Sequence, residues 1–377
     1  MDIQMQIHRL VKGLLCAICY YSGLTWVYHR MRPRRGLLIL AYHRIADLEE
    51  DPLGLSIGPE DFHQHMQHLA AAYHPVSLGE AMERYEDWAH IKNEIVVTFD
   101  DGYEDNYTAA WPILKKLSIP ALVFLTIAPV EKESDLWFER ISSCILATDA
   151  HEIDITRYDS GVWPLLDYGQ KARLIKHLTR TAKSLPESAR EELVRYLEDA
   201  LGTSARPEML SWAQIRLMRS SGIEFGCHTL NHPILAHLDP ERMREEISTA
   251  KELMEQRLGE SVLYFAYPNG GQGDYDNRVI ALLREAGFKA ACTLLPGINR
   301  AENPYELKRL GIGSDYTGCP GLFTKAVFAC EMAGLADHLY LRKVRSGERR
   351  ADGMSSERSQ LTTPLPPQQR ENARIWP

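Results

Sequence analysis

Two neighbouring carboxylates follow a short apolar run in the first third of the chain. In VVTFDDGYEDNY, residues 96–107, Asp100 and Asp101 stand side by side directly before Gly102. Adjacent acids repel each other and tend to end a strand, so their placement here suggests a bound group that interacts with both carboxylates. A divalent cation is such a group, because one carboxylate can bind the metal while its neighbour takes a proton from water.

A second polar cluster follows another apolar run. GCHTLNHP carries His228 and His232 directly after IEFGC, and Pro233 disfavours a helix at His232, which favours a loop. One carboxylate and two histidines are a common zinc ligand set that leaves one position open for water. Either cluster alone is also explained by a turn or by surface histidines. Both together, each at the end of a predicted strand, indicate a metal-dependent active site.

The elements that would position these clusters alternate between strands and helices. The runs GLLILAY, EIVVTF, ALVFLTI, IEFGC, VLYFAY and AACTLL are typical of buried strands, and segments such as PEDFHQHMQHLAAA and DPERMREEISTAKELMEQRL are typical of helices. This alternation predicts parallel strands with helices outside, as a barrel or a doubly wound sheet. The carboxyl ends of such strands converge on one face, where both clusters are expected to meet.

The 377 residues are enough for one large α/β domain or two ordinary ones. We expect an apolar and basic segment in residues 1–35, a catalytic domain in residues 36–345, and a disordered tail in residues 346–377, which lack apolar periodicity. Residues 131–207 are rich in charge and in helical periodicity, so they are interpreted as a helical insertion between two core units.

Charge and cysteine content exclude several classes of protein. A net charge of −8 gives no general electrostatic reason to bind nucleic acid, so no nucleic-acid partner is expected. The seven cysteines are an odd number and their spacing suggests no disulfide framework. Cys16 and Cys19 have CxxC spacing but lie in an apolar segment without a second pair, which argues against a zinc or redox motif there.

The N-terminal segment allows two interpretations. Gly13–Tyr28 carries no charged residue but is shorter than the about 20 apolar residues of a membrane span. The basic run HRMRPRR follows it, without a small-residue cleavage site. Trp26 and the arginines suit peripheral membrane contact through residues 1–35, or a marginal anchor in residues 11–28. A membrane-associated protein facing the cytoplasm would result. The alternative is a first helix packed on the core.

Several of these segments resemble a known family. TFDDGY and HTLNH resemble the first two motifs of the polysaccharide deacetylases, the NodB-homology domain. IPALVFLT follows the first motif, MLSWAQIRLMRSSGIEFGCHTLNHPIL surrounds the second, and YFAYPNG stands where a third belongs. The resemblance covers roughly residues 37–315 without the insertion. It implies an α/β fold, a distorted (β/α) barrel of the polysaccharide deacetylase type, and a divalent metal, with zinc as the expected ion.

The first two motifs imply roles for four residues. By position, Asp100 matches the general base of the family. Asp101, His228 and His232 match its metal ligands.

The third motif departs from the family pattern. Typical members carry an arginine that orients the base, and Ala266 stands at that position. They also carry a tyrosine whose backbone N–H helps to bind the oxyanion, and Asn269 stands there. A backbone donor survives a change of side chain, so Asn269 and the neighbouring Tyr267 are the expected oxyanion and substrate contacts.

The general acid also departs from the usual pattern. Family members usually carry a histidine in a late LxxH motif, but the late segment ELKRLGIGSD has none. An early YH motif, in LILAYHRI, resembles that of the poly-N-acetylglucosamine deacetylases, whose acid histidine lies there. The resemblance therefore implies that His43 is the general acid. The alternative is a structural histidine packed under the site.

The resemblance implies a hydrolase that removes N-acyl groups, above all acetyl, from the amino sugars of a glycan or glycolipid. One alternative is a deacylase of a lipid-linked or nucleotide-linked sugar. A lipid-linked sugar would agree with membrane contact through the N-terminal segment. The other is a carbohydrate-binding pseudoenzyme, suggested by Ala266 and by the missing late histidine. Turnover of chitooligosaccharides or of a chromogenic acetyl ester would separate enzyme from pseudoenzyme.

Overall fold

A sheet of eight parallel strands forms the centre of the computed structural model, which describes residues 3–158, 161–203, 206–314 and 324–335, with side chains from residue 10 onward. In spatial order the strands are β11 (Ala290–Cys292), β10 (Tyr264–Ala266), β9 (Glu224–Cys227), β6 (Ala121–Leu125), β5 (Glu94–Phe99), β1 (Leu38–Tyr42) and β12 (Leu310–Gly311), with β4 (His74–Pro75) paired to β5.

The two ends of this sheet come together. Cys292, the last residue of β11, forms a parallel bridge with Leu307, shortly before β12, and β12 pairs with β1. The sheet is therefore a distorted (β/α) barrel with short strands on the closing side. This confirms the fold class that the sequence predicted.

Helices surround the sheet and supply the layer outside it. They are α1 (Ile3–Tyr21), α2 (Leu24–Met31), α3 (Pro59–Ala72), α4 (Leu78–Glu83), α5 (Trp111–Leu117), α6 (Ile127–Val130), α7 (Trp137–Ala147), α8 (Tyr168–Ser184), α9 (Glu187–Leu201), α10 (Trp212–Ser220), α11 (Pro240–Leu258), α12 (Asn277–Glu285) and α13 (Thr324–Ala333). As the sequence predicted for α11, the Asp239 side chain accepts hydrogen bonds from two backbone N–H groups and Pro240 begins the helix.

Alternate residues of the central strands face two different cores. On β1, Leu38 and Leu40 pack with the outer helices, whereas Ile39 packs inside the barrel together with Val96 and Phe124. All five residues of β1 are buried, as expected for a parallel strand covered on both faces. The continuous apolar runs in the sequence are explained by this two-sided burial.

The predicted insertion has its own hydrophobic core. Helices α7, α8 and α9 pack on one another around Ile141, Leu174 and Leu193, beside a hairpin of β7 (Glu152–Asp154) and β8 (Val162–Pro164). Two further short strands, β2 (Arg44–Ile45) and β3 (Ser56–Ile57), pair near the end of β1.

The N-terminal helices lie against the body of the protein. Cys16 and Cys19 of α1 pack on Cys330 of α13, and the six described cysteines are all free. No single helix in the described part of the chain is long and apolar enough to cross a membrane, although Leu10–Tyr21 and Leu24–Met31 would pass together as a pair bent by 75°. The predicted tail, residues 346–377, lies outside the described residues.

Candidate active site

The ends of three strands bring the predicted residues to one rim of the barrel. β1 and β5 pair with Tyr42 opposite Phe99, which places His43 and Asp100 side by side just beyond the strands. β9 ends at Cys227, so His228 emerges at the same rim. Strand termination at this edge, anticipated from the sequence, is what gathers the polar groups.

Asp101, His228 and His232 converge on one point. Their ligand atoms all lie within 4.8 Å of one another, and all three residues are buried. The Nε2 atoms of His228 and His232 lie 3.7 and 3.5 Å from Oδ1 of Asp101. His228 Nδ1 lies 2.7 Å from the carbonyl oxygen of Ala266, so this nitrogen donates its proton and Nε2 keeps its lone pair toward Asp101.

Hydrogen bonding at Asp101 tests whether a cation fits this donor set. Both carboxylate oxygens of Asp101 are buried and neither has a hydrogen-bond partner. An unpartnered buried carboxylate is costly, whereas a divalent cation between it and two imidazoles would satisfy it. The three side chains therefore suit a metal such as zinc, which accepts nitrogen and oxygen ligands.

The protonation of these groups supports the same conclusion. Burial, reinforced by the neighbouring Asp100 carboxylate, raises the pKa of Asp101 well above its usual range. Burial also lowers the pKa of His228 to about 4 and that of His232 well below its usual value. Neutral imidazoles offer lone pairs to a metal, and a bound cation would return Asp101 to its carboxylate form.

Asp100 is held by an arginine that sequence analysis did not assign. Nη1 and Nη2 of Arg309 donate to Oδ1 and Oδ2 of Asp100 at 2.6 and 2.7 Å. Nε of Arg309 donates to the carbonyl oxygen of Thr293 at 2.8 Å, and its side chain is 1% exposed. Burial alone would raise the pKa of Asp100, but the Arg309 guanidinium holds that pKa well below its usual range.

A buried glutamate fixes the loop that carries both histidines. Glu246 of α11 accepts hydrogen bonds from the backbone N–H groups of Leu230 and Asn231 at 3.0 and 2.8 Å, and from the Asn231 side chain. Within this loop Thr229 and His232 have positive φ angles of 70° and 57°. Such a conformation is strained for a β-branched residue, so the loop needs these contacts to keep its shape.

Positive φ angles are concentrated at the site. Among the described residues, eight non-glycine residues have positive φ, and the site holds four of them, including Asp101 at 71° and Asn269 at 59°. Strained backbone of this kind often marks residues whose side chains must point in one direction.

His43 lies on the same rim of the barrel as Asp100. Its Nε2 is 4.0 Å from Oδ2 of Asp100, so the two side chains are neighbours. Adjacent strands carry the two side chains to the same part of the pocket. Burial lowers the pKa of His43, while the Asp100 charge partly opposes that effect.

Of the two residues predicted in the third motif, Asn269 lies in the pocket and Tyr267 lies in the core. Asn269 lines the pocket, and its backbone N–H has no hydrogen-bond partner among the described residues. Tyr267 instead packs in the core, where its hydroxyl donates to the carbonyl oxygen of Tyr305 and its N–H to that of Cys292. A side-chain contact of Tyr267 with substrate therefore has no support from its position.

The insertion forms one wall of the pocket without adding to the ligand set found among the described residues. Trp137 and Phe138 of α7 and Thr179 and Lys183 of α8 line the same cavity as the predicted residues. The indole Nε1 of Trp137 donates to the carbonyl oxygen of His232 at 3.2 Å. The insertion thus both closes the pocket and supports the histidine loop.

Three site residues were missed in the sequence: Arg309, Glu246 and Lys183. Arg309 lies in ELKRLGIGSD directly before β12, and no spacing pattern distinguishes it from the other charged residues of that segment. Glu246 and Lys183 are charged residues on helices rich in charge, and no pattern distinguishes them from solvated neighbours.

Comparison with known proteins gives a consistent answer. Residues 89–291 match the family model described as polysaccharide deacetylase. The chain is 22% identical over 285 residues to YxkH of Bacillus subtilis (strain 168), which is named for that family, covering 75% of this chain and 73% of YxkH. It is 28% identical over 92 residues to the poly-beta-1,6-N-acetyl-D-glucosamine N-deacetylase of Escherichia coli (strain K12), covering 24% of this chain and 14% of that enzyme.

A solved structure shares the fold. The Streptococcus pyogenes deacetylase PplD, in complex with acetate, superposes with a TM-score of 0.52 at 20% identity, covering 76% of this chain and 95% of PplD.

Proposed function

Because the chain belongs to the polysaccharide deacetylase family, hydrolases that act on carbohydrates, we propose that it removes N-acetyl groups from the amino sugars of a polysaccharide or glycoconjugate with the help of a divalent metal. The observation that carries this proposal is the buried set of Asp101, His228 and His232 directly beside Asp100. Zinc is the expected ion, since two imidazoles and one carboxylate leave a position open.

When bound by Asp101, His228 and His232, the metal supplies Lewis-acid chemistry, which polarises the amide carbonyl and makes water more acidic. Asp100 then accepts the proton of the attacking water. Arg309 keeps Asp100 ionised and orients both oxygens of the Asp100 carboxylate. Because the pKa of Asp100 is low, Asp100 is a weak base and can accept a proton only from a water whose own pKa is lowered.

Two further residues act on the carbonyl oxygen and on the leaving nitrogen of the amide. The free backbone N–H of Asn269 can donate to the carbonyl oxygen as negative charge develops on it. Burial lowers the pKa of His43, so the imidazole is neutral at first and can pass on to the leaving nitrogen the proton that Asp100 has taken from water, because an amine departs only when protonated. Nε2 of His43 lies 4.0 Å from Oδ2 of Asp100, which supports a proton transfer between these two groups.

The test is turnover by the metal-loaded protein. Chitooligosaccharides and poly-β-1,6-N-acetylglucosamine oligomers should release acetate and lose acetyl mass by mass spectrometry. Asp100→Asn preserves side-chain size and should abolish release, while Arg140→Met, which removes an arginine of the insertion, should not. Failure of the wild-type protein on these glycans and on an aryl acetate would favour the carbohydrate-binding alternative.

A second candidate has support from the pocket wall. A lipid-linked or nucleotide-linked sugar carries a phosphate, and Lys183 places a positive charge in the pocket. The same turnover assay, with a sugar phosphate added to the panel, separates this candidate from a neutral polysaccharide.

A further inference from the structure

The wall that the insertion contributes to the pocket carries two polar groups that the proposed reaction does not use. Thr179 and Lys183 are four residues apart on α8, so they lie on the same face of that helix. Both line the cavity that contains Asp100 and His43. Neither residue belongs to the motifs that resemble the family.

Thr179 is buried without a hydrogen-bond partner. Its side chain is on a residue only 8% exposed, and its hydroxyl oxygen has no partner. A threonine in a helix can bond to the carbonyl four residues earlier, but this hydroxyl does not. A buried hydroxyl left unpaired is costly, so its position indicates a partner that enters the pocket.

Lys183 also lacks a partner in the part of the chain that the structure describes. Its ammonium group makes no hydrogen bond or ion pair there, and burial lowers its pKa. The charge of the Asp274 carboxylate opposes this effect and raises the pKa of Lys183, while Arg180 on the same helix lowers it. Asp274 already accepts a hydrogen bond from Gly271 N–H. The lysine is thus a half-buried cation that lines the pocket.

We propose that Thr179 and Lys183 form a subsite for an anionic group, a phosphate or a carboxylate, on the substrate next to the sugar that is deacetylated. A lysine is a compact point charge with three donors, which suits either oxyanion, and the threonine adds a fourth donor. This inference rests on the proposed deacetylation and narrows its substrate to acidic saccharides. The insertion is then the part of the chain that selects the substrate.

Matched substrates test the subsite. The kcat/KM values of an N-acetylhexosamine, its phosphate ester and a derivative with a carboxylate ether would be compared. The wild-type protein should prefer at least one anionic form, and the preferred form identifies the anion. Lys183→Met should lower that preference by about 10-fold to 100-fold, mainly through KM, as expected for one charge-assisted hydrogen bond. Lys183→Arg should keep most of it.

The control is Arg180→Met, which removes the same charge from the exposed side of α8 and should leave the preference unchanged. Equal losses on neutral and anionic substrates in Lys183→Met, or no preference in the wild-type protein, would overturn the subsite. A thermal shift produced by the sugar phosphate and lost in Lys183→Met needs no turnover. It therefore distinguishes a failed subsite from a failed deacetylase.

A different observation supports a second inference, at the N-terminal helices. Leu10, Leu14, Ile18 and Tyr21 of α1 are exposed by 60, 54, 57 and 73%. Their spacing of four, four and three residues places them on one stripe, opposite the side that packs on α13.

The second helix continues this exposed apolar surface and adds positive charge. Trp26 and Met31 of α2 are exposed by 68 and 75%. Arg30, Arg32 and Arg35 are exposed beside them. Large apolar side chains, an exposed tryptophan and adjacent arginines are the composition of helices that lie in the interface of an anionic bilayer.

The packing of α1 argues against a span. Lys12 and Glu331 form an ion pair at 2.8 Å that ties α1 to α13, and Cys16 is buried in the same contact. We infer that α1 and α2 lie flat on an anionic membrane surface while they remain packed on the body of the protein.

Sedimentation with vesicles tests this inference. The full chain should pellet with vesicles that contain anionic phosphatidylserine, and less so with neutral phosphatidylcholine or at high salt. Ile18→Glu combined with Trp26→Glu should abolish pelleting, whereas Leu217→Glu, at an apolar residue 52% exposed on α10, should not. Binding that survives the double variant, or pelleting without vesicles, would overturn it, and the latter would indicate self-association through this face.

Discussion

The pairing of Arg309 with Asp100 predicts a specific loss when the arginine is removed. Arg309→Met keeps much of the side-chain volume but removes both hydrogen bonds to Asp100, leaving a carboxylate that is 4% exposed without its partner. Breaking a buried pair from one side costs about 3–5 kcal/mol of unfolding free energy. At about 2 °C per kcal/mol for a domain of this size, Tm should fall by roughly 6–10 °C.

The same substitution should reduce catalysis, because Arg309 sets the direction of the Asp100 oxygens. A displacement of about 1 Å at such a group costs about 10²-fold in rate, and we expect kcat to fall by at least that factor. Arg140→Met is the matched control: Arg140 is also paired to a carboxylate through two hydrogen bonds, with Glu198, but lies in the insertion. It should lower Tm and leave kcat near the wild-type value.

A double-mutant cycle separates pairing from general damage. Asp100→Asn removes the charge from the other side, so the combination with Arg309→Met leaves no uncompensated charge in the core. The double variant should therefore be less destabilised than the sum of the two single variants, by a coupling of roughly 2 kcal/mol or more. Additive losses in urea unfolding, or a normal kcat in Arg309→Met, would refute the assignment of Arg309 as the residue that positions Asp100.

Three further predictions follow from the site and its surroundings. Chelation of the metal should abolish turnover and lower Tm, and Asp101→Asn should reduce the zinc content measured by elemental analysis. His43→Ala should lower kcat on amides by about 10²–10⁴-fold with unchanged metal content, and much less on aryl acetates, whose leaving groups need little protonation; equal losses on both would make His43 structural. Burial lowers the pKa of His65 in the folded protein to about 3, so between about pH 3 and pH 6.5 only the unfolded chain binds a proton there. The free energy of unfolding should therefore decrease as the pH is lowered, by about 2 kcal/mol at about pH 5. His65→Phe should remove that part of the pH slope in urea unfolding, and an unchanged slope would contradict the assignment.

The parts of the fold that follow from local pattern were predictable. Apolar runs marked the strands, and Asp239 with Pro240 marked the start of α11. The carboxyl ends of parallel strands meet at one edge of the sheet, so the sequence could predict that Asp101, His228 and His232 lie close together. Helical periodicity was also visible in residues 131–207, which hold α7, α8 and α9.

Relations between side chains that are distant in the chain were not predictable in this way. The contact of Arg309 with Asp100 joins residues 209 positions apart, and it depends on how β12 pairs with β1. The contact between His43 and Asp100 depends in the same way on the register of Tyr42 with Phe99. A sequence pattern fixes neither the register nor the direction of a side chain.

Ala266 stands where the resemblance to the family predicts an arginine, and Arg309 makes the contact with Asp100. Ala266 lies on β10, and its carbonyl oxygen orients His228. The small alanine side chain packs inside the barrel, where Arg309 also lies, over the ring of Phe124 at 5.4 Å. The guanidinium reaches Asp100 through this interior from the residue directly before β12. What the chemistry requires is a cation at the two carboxylate oxygens, and a closed barrel allows more than one strand to supply it.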